Sequence, residues 1–258
     1  MVDGDVASTV ELLARRAELL RSLRAGAESK RDLVDALSVS RSTVDRAIRR
    51  LESHGFVARC EGAVEITLKG RLALTAFESF AADVSSLDAA GAVLERMGAS
   101  SRMDVSMLRN ADVVEPDRVT PNRPAGALLE HLQNATSVRG FTNVVLPSYV
   151  DVFRENILNH DVPVDLVVTP DVLEELVANY RDTLDQTLET ECLDLLCANR
   201  TLEYSLLVVD IGRQTVVGAL VYDEQGVFGV LENDDDRAVE WATDLLDELR
   251  SNADRVPM

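Results

Sequence analysis

The sequence predicts an α+β protein in two parts, a small helical module closed by a hairpin and a mixed α/β sheet domain. Three observations predict it. Residues 29–67 hold two short, capped, apolar-striped segments and then two alternating segments around Glu61-Gly62. From Lys69 to Leu87 the apolar period is helical again. Beyond residue 111, apolar runs of strand length alternate with helical stretches, and the last two runs flank a tight turn.

The first helix is expected from about Val6 to Arg24, with Val10, Leu13, Ala17, Leu20 and Leu23 as its buried stripe. Arg15, Arg16, Arg21 and Arg24 lie off that stripe and read as solubilising charge. Ser29 and Asp32 are spaced as a capping box, and Leu33, Val34, Ala36 and Leu37 give the short helix after them an apolar face. Ser38-Val39-Ser40 is the turn. Ser40 suits an N-cap, its hydroxyl accepting from the Thr43 N–H.

In the next helix Val44, Ala47, Ile48 and Leu51 form a single stripe at i, i+3, i+4, i+7, and the opposite face carries Arg41, Ser42, Thr43, Arg46, Arg49 and Arg50. Gly55 can end it in the left-handed conformation. Phe56–Arg59 and Val64–Thr67 then alternate as two strands joined at Glu61-Gly62. Two capped helices, a three-residue turn and a hairpin within about 40 residues make a winged helix-turn-helix, which sets one helix into the DNA major groove. The candidate DNA contacts are Lys30, Ser40, Arg41, Ser42, Thr43, Arg46, Arg49, Arg50 and, on the wing, Arg59. Arg46 and Ser42 are expected at base edges; Lys30, Arg41 and Arg49 are expected on phosphate. The alternative is a winged helix used only for protein contacts.

Ala73, Ala76, Phe77, Phe80, Val84 and Leu87 recur at threes and fours. They suit either a dimer helix or a helix packed on the first one, and Gly91 and Gly98 weaken any longer continuation. The expected organisation is a DNA-binding domain over 1–80, a linker and dimerisation region over 81–110, and an α/β effector-sensing domain over 111–252.

In that last part strands are expected at Asp112–Glu115, Phe141–Leu146, Val164–Val168, Leu206–Asp210, Gln214–Tyr222 and Val227–Leu231. Helices are expected at Ala125–Ala135, from Ser148 to about Asn159 with Ser148 as the cap, at Asp171–Arg181, and at Asp236–Leu249. Thr187–Leu193 reads as helical or extended, and Pro116–Pro124 as a loop. Asp223-Glu224-Gln225-Gly226 is the final turn.

A net charge of −19 looks wrong for a DNA binder until the chain is divided. Residues 1–80 hold 13 Lys+Arg against 12 Asp+Glu, and the remainder carries −20. Of the 26 basic residues only Lys30 and Lys69 are lysines. An acidic surface so poor in lysine resembles that of proteins from organisms with molar salt in the cytoplasm. The Debye length there is about 3 Å, so DNA binding must rest on close arginine contacts and shape rather than on a long-range field. With 46% hydrophobic residues the chain can bury a core. No apolar run reaches the 18 or so residues of a membrane span, and no signal peptide is visible at the N-terminus, so a cytoplasmic protein without a membrane partner is expected. Cys60, Cys192 and Cys197 fit no common metal motif and read as reduced thiols.

The stretches NVVLPSYVDVF, VDLVVTPDVLEEL, YSLLVVDIGRQTVVGALVYDEQGVFGVLENDD and RAVEWATDLL resemble a group of archaeal winged-helix regulators. Their C-terminal domain is the type named for a methanogenesis regulator, similar to the phospholipase-D-like effector domain of archaeal sugar-sensing repressors. The likeness runs from about residue 10 to 250 and implies ligand-controlled transcription, commonly by dimers. Within it, Trp241 of Ala238-x-x-Trp241 is expected to be structural. Glu203-Tyr204-Ser205-Leu206 stands where the resemblance leads one to expect a glycine before the strand.

Phospholipase-D chemistry needs a His-x-Lys pair, and His54, His131 and His160 have no lysine two places on. No phosphate loop, G-x-S-x-G or metal cluster appears, so no catalytic residue, metal or cofactor is expected. Two readings stay open. One is a regulator of double-stranded DNA, homodimeric and controlled by a small polar metabolite, a sugar or phosphorylated intermediate by family analogy. Its candidate ligand residues are Ser148, Tyr149, Thr169, Arg213 and Tyr222, at strand ends and helix starts. The other is a constitutive DNA-binding or scaffold protein whose C-terminal domain serves dimerisation or protein contacts. An open polar cavity near Pro147, Thr169 and Tyr222 favours the first, a solid apolar core the second.

Overall fold

The computed structural model describes residues 4–26, 29–60, 62–117, 119–120, 122–199, 202–224 and 226–256. Contacts divide the chain into two compact units, Met1–Val84 and Ser85–Met258.

The first unit holds α1 (Gly4–Arg24), α2 (Lys30–Leu37), α3 (Arg41–Ser53), β1 (Val57–Cys60), β2 (Ala63–Ile66) and the start of α4 (Leu68–Ala89). The capping box at α2 is formed: the Ser29 hydroxyl accepts from the Asp32 N–H at 3.2 Å and the Asp32 carboxylate accepts from the Ser29 N–H at 3.0 Å. Ser38 closes α2 in the left-handed region (φ +52°). Ser40 caps α3 by accepting from Thr43, and Gly55 (φ +72°) follows the helix. Val44, Ala47, Ile48 and Leu51 are all buried, with Leu12, Leu20, Leu33 and Leu74 in the same core. Val10, expected in that core, is exposed, while Leu12 and Leu19 are buried.

The strands pair antiparallel from Val57↔Ile66 to Cys60↔Ala63. Of the turn expected at Glu61-Gly62, Glu61 lies outside the described residues and Gly62 has φ +89°. Arg21 and Arg24 do more than solubilise. Arg21 donates to Glu78 at 2.8 Å, and Arg24 donates to both of its oxygens at 2.8 and 3.1 Å, tying α1 to α4. The hydrogen bonds from Arg24 and then Arg21 hold the Glu78 carboxyl below its ordinary range. The helical stripe of α4 divides. Gly70 and Leu74 are buried and Ala73 and Phe77 half-buried on this core, but Leu72, Phe80, Val84 and Leu87 are exposed.

The second unit adds α5 (Gly91–Leu94), α6 (Val105–Leu108), β3 (Asp112–Val114), α7 (Arg123–Ala127), α8 (Leu129–Gln133), β4 (Ser137–Thr142), α9 (Pro147–His160), β5 (Val164–Val168), α10 (Pro170–Asn179), α11 (Arg181–Leu188), β6 (Leu193–Cys197), β7 (Tyr204–Ile211), β8 (Gln214–Asp223), β9 (Gly226–Asn233), α12 (Asp236–Ser251) and β10 (Asp254–Arg255). Among the described residues eight strands form one mixed sheet, ordered β10-β6-β5-β4-β7-β8-β9-β3. β4, β5 and β6 run parallel; the other pairings are antiparallel. One face packs on α12 around Phe141, Tyr204, Leu206 and Leu245, and Trp241 is partly buried there. The other packs around Tyr149, Ile157, Leu207 and Leu220. Residues 81–110, expected as a linker and dimerisation region, place Ala90, Val93, Met107 and Leu108 in the α12-side core.

Several boundaries move. The strand expected at Phe141–Leu146 is Ser137–Thr142. Thr142 Oγ1 bonds the Val144 carbonyl at 2.7 Å and turns the chain out of the ladder. Ser148 does not cap α9, whose N-cap is Leu146 with no side-chain bond. The helix expected over Ala125–Ala135 is two short ones meeting at the buried Leu128. β6 follows α11 where a single ambiguous segment was expected, and its parallel pairing with Val164–Val168 makes it a strand.

Arg139, Asp165 and Asp194 lie in register across β4, β5 and β6. Arg250 of α12 binds both aspartates, Arg255 adds a contact to Asp194 at 3.2 Å, and Arg139 reaches Asp247. Facing carboxylates on adjacent strands repel unless a cation lies between them. Arg250→Met therefore lowers the stability of this unit by about 1–3 kcal/mol, between the exposed and buried limits for broken ion pairs. Burial pushes Asp194 up, but Arg250 and Arg255 together bring its carboxyl below the ordinary range. Its contribution is thus full above the unfolded value of about 3.9 and fades as pH falls through the lower folded one. Urea unfolding at neutral pH and near pH 3.5 checks this: the deficit of the variant narrows in acid, and a pH-independent deficit overturns the assignment.

Candidate functional site

On α3 the capped start and the buried stripe fix which side chains face solvent. Arg41, Ser42, Arg46, Arg49 and Arg50 are exposed along one side, and Thr43 is half-buried. Among the described residues Arg41, Arg46 and Arg50 have no side-chain ion pair; Arg49 donates only to the Asp45 carbonyl of its own helix, at 3.3 Å. Ser40 joins Ser42 and Thr43 in a hydroxyl cluster, each at 2.9 Å, so these three shape the helix start.

Two expected phosphate or wing contacts are already engaged. Lys30 pairs with Asp45 at 2.5 Å, and that hydrogen bond holds the Asp45 carboxyl below its ordinary range. Arg59 on β1 pairs with Glu52 of α3 at 3.2 Å. Sequence reading passed over Lys69, which donates to the His54 carbonyl at 2.7 Å and lies 5.3 Å from the Phe56 ring centroid. Both lysines of the chain thus hold the module together.

In the second unit a cavity of about 100 Å³ lies between the sheet and α9–α11. Tyr149 and Tyr222 line it. Ser148 is exposed on α9 and points no side chain into the lining; Thr169 is buried and caps α10, its Oγ1 accepting from Val172 at 3.4 Å. Arg213 is exposed in the β7–β8 turn, at the opposite end of β8 from Tyr222. The five candidates therefore do not converge: two meet in the cavity, three lie apart from it. The walls are mostly aliphatic, from Val164, Leu166 and Val168 on β5 to Ile157, Leu184 and Leu195 around them.

Ser205, in the Glu203–Leu206 stretch where the resemblance leads one to expect a glycine and not among the ligand candidates, is a polar residue of the lining. Tyr222 donates to Ser205 Oγ at 2.7 Å, and Ser205 and Thr142 are 2.8 Å apart. Burial pushes the Tyr222 phenol up to about 12. Burial also raises the Tyr149 phenol, reinforced by Tyr222 and Glu232, and the Tyr149 hydroxyl is buried without a hydrogen-bond partner. His131 Nε2 lies 3.8 Å from Glu232, whose burial raises its carboxyl. Among the described residues no cluster of three or more His, Cys, Asp or Glu is arranged to hold a metal. No helix among them is long and apolar enough to cross a membrane.

The family described as methanogenesis regulatory protein FilR1, middle domain, matches residues 121–252, just over half of the chain. The chain belongs to this family. The matched FilR1-type segment runs from α7 to α12 and contains the whole cavity lining. A second family, HVO_A0261 N-terminal domain, matches residues 4–89, from the start of α1 to the end of α4. Among solved structures, the archaeal chromatin protein TrmBL2 is similar at 16% identity and TM-score 0.45, covering 98% of this chain and 100% of that one. NucT from Helicobacter pylori is 9% identical with TM-score 0.45, covering 57% of this chain and 99% of its own. Nuc from Salmonella typhimurium, of the phospholipase D family, is 11% identical with TM-score 0.41, covering 58% and 99%. No curated protein matches.

Proposed function

We propose that the chain is a sequence-specific DNA-binding transcriptional regulator that acts as a homodimer and responds to a small molecule held in its second unit. The observation that carries the DNA reading is the row of exposed arginines, Arg41, Arg46 and Arg50, on the polar face of a capped helix inside a two-helix-and-wing unit. That arrangement supports major-groove insertion, with arginine forks on guanine edges. Membership of a family named for a regulatory protein agrees with it. The FilR1-type half supports binding rather than catalysis, since no histidine in the sequence has lysine two places on. Mapping the genomic DNA that co-purifies with the full chain in molar KCl tests the reading. A few discrete sites are expected; a uniform background or none leaves a winged helix that serves protein contacts.

The dimer reading rests on Leu72, Phe80 and Val84, which α4 leaves 62%, 55% and 41% exposed at helical spacing. Two half-sites about one helical turn apart would multiply modest arginine contacts. Sedimentation in molar KCl is expected to give a dimer at micromolar concentration. Phe80→Glu is expected to give a monomer with weakened operator binding. A wild-type monomer that binds its operator in full sinks the dimer.

A cavity lined by Tyr149 and Tyr222 supports effector control over a solid core used only for contacts.

A further inference from the structure

The cavity has a length, a wall chemistry and a buried hydroxyl without a partner. Val164, Leu166 and Val168 all line it, so it runs the full length of β5 along one face. Five residues of strand span about 13 Å, which an unbranched chain of about eight to ten carbons matches. Among the described residues the charged side chain in the lining is Arg154, exposed on α9.

The hydroxyls at the Thr142 end satisfy one another in order. Tyr222 donates to Ser205 at 2.7 Å. With Ser205 donating to Thr142, the Thr142 proton goes to the Val144 carbonyl at 2.7 Å. Every proton in that chain is used. Tyr149 stands outside it, 7% exposed, its hydroxyl buried and unpartnered although the side chain lines the same space. A buried hydroxyl without a partner is costly, and a ligand oxygen would relieve it. A sugar or phosphate would bring several polar groups to walls that are mostly aliphatic.

Resting on the effector reading above, we propose that this slot binds an unbranched aliphatic molecule whose one neutral terminal oxygen accepts a hydrogen bond from Tyr149. That chemistry differs from the polar metabolite suggested by family analogy. A carboxylate head is disfavoured at the buried Tyr149 hydroxyl, because Arg154, the charged residue among the described lining residues, is exposed and no buried cation would offset it.

Calorimetry on the full chain in molar KCl, with 1-butanol, 1-hexanol, 1-octanol, octanoate and glucose 6-phosphate as probes, tests the proposal. Affinity should rise about fourfold per added methylene from butanol to octanol. Octanoate should bind more weakly than octanol, and glucose 6-phosphate not at all. Tyr149→Phe should melt no lower than the parent without ligand, yet bind 1-octanol about 3- to 10-fold more weakly, the worth of one hydrogen bond. Leu166→Phe should fill the slot and abolish octanol binding; if it does not fold, the Tyr149 comparison still decides. Absence of alkanol binding overturns the proposal, as does binding of glucose 6-phosphate instead, or an octanol affinity indifferent to Tyr149→Phe. Operator titrations with and without 1-octanol separate the two readings. Tyr149-dependent octanol binding that leaves operator affinity unchanged upholds the slot and its ligand class but defeats effector control.

Discussion

Gly70→Ala is expected to destabilise the first unit strongly. In most helices this exchange stabilises, since alanine is better than glycine by about 1 kcal/mol. Here a Cβ on residue 70 would stand 2.0 Å from the Phe56 carbonyl oxygen, 2.9 Å from its carbon and 3.0 Å from Ile66 Cγ1. Neither backbone can retreat. Phe56 O accepts from the Thr67 N–H at 3.0 Å. Thr67 Oγ1 donates to the Gly55 carbonyl at 2.7 Å and accepts from the Gly70 N–H at 3.0 Å. The wing and the start of α4 are thus locked together around a space that only glycine leaves open. Overpacking against side chains typically costs about 1–3 kcal/mol; against pinned backbone about 3 kcal/mol or more is expected, a large share of the stability of so small a unit. Thermal unfolding followed by circular dichroism, with operator titration beside it, should show an earlier transition and lost DNA binding. A variant that melts no earlier and binds DNA normally would falsify the packing described for Gly70.

Arg46→Ala and Arg49→Ala should fail in different ways. Arg46 is exposed and unpaired in the second turn of α3, where a recognition helix meets base edges. One arginine fork on guanine is worth about 1–3 kcal/mol, so its loss should weaken the best site about 5- to 150-fold and flatten preference at one base pair. Arg49, one residue short of a further turn along, should weaken all sequences alike, as a phosphate contact does. Lys30 provides the internal contrast. It is held by Asp45, so Lys30→Ala should act mainly by freeing a carboxylate on the DNA side. Asp45→Asn added to that variant should recover the lost affinity. Selection of bound sequences from a random pool, done for each variant in molar KCl, reads affinity and preference together. Unchanged selection by Arg46→Ala would remove the base-contact assignment.

The module over residues 29–67 was legible because its signals are local. Caps, the i, i+3, i+4, i+7 stripe and a two-residue turn act within a few residues of backbone, and they reappear as α2, α3, β1 and β2 with small shifts of boundary. The α/β character of the second half was legible for the same reason, as strand-length apolar runs divided by capped helices. Less could be read where one residue type serves two ends. Arg21 and Arg24 look like solvated charge until α4 brings Glu78 to them across 54 residues of chain. Lys30 reads as a phosphate ligand, and only packing shows that α3 also gives it Asp45 as a partner. The apolar stripe of α4 reads as one face, and packing divides it into a buried and an exposed side.

The cavity shows the limit most clearly. Tyr149 and Tyr222 are ligand candidates because they sit at strand and helix ends, but so are Ser148, Thr169 and Arg213, and local position does not rank them. The pairing of β7 with β8 sends Arg213 and Tyr222 to opposite ends of the sheet, and sets Ser205 and Thr142 beside the Tyr222 hydroxyl. The α/β composition, the caps and the buried stripe of α3 follow from the order of residues along the chain, because hydrogen bonds between near neighbours and the helical repeat decide them. Which hydroxyls share a space, and that the space is apolar, follow from strand order, because contacts between distant segments are set only when the sheet closes.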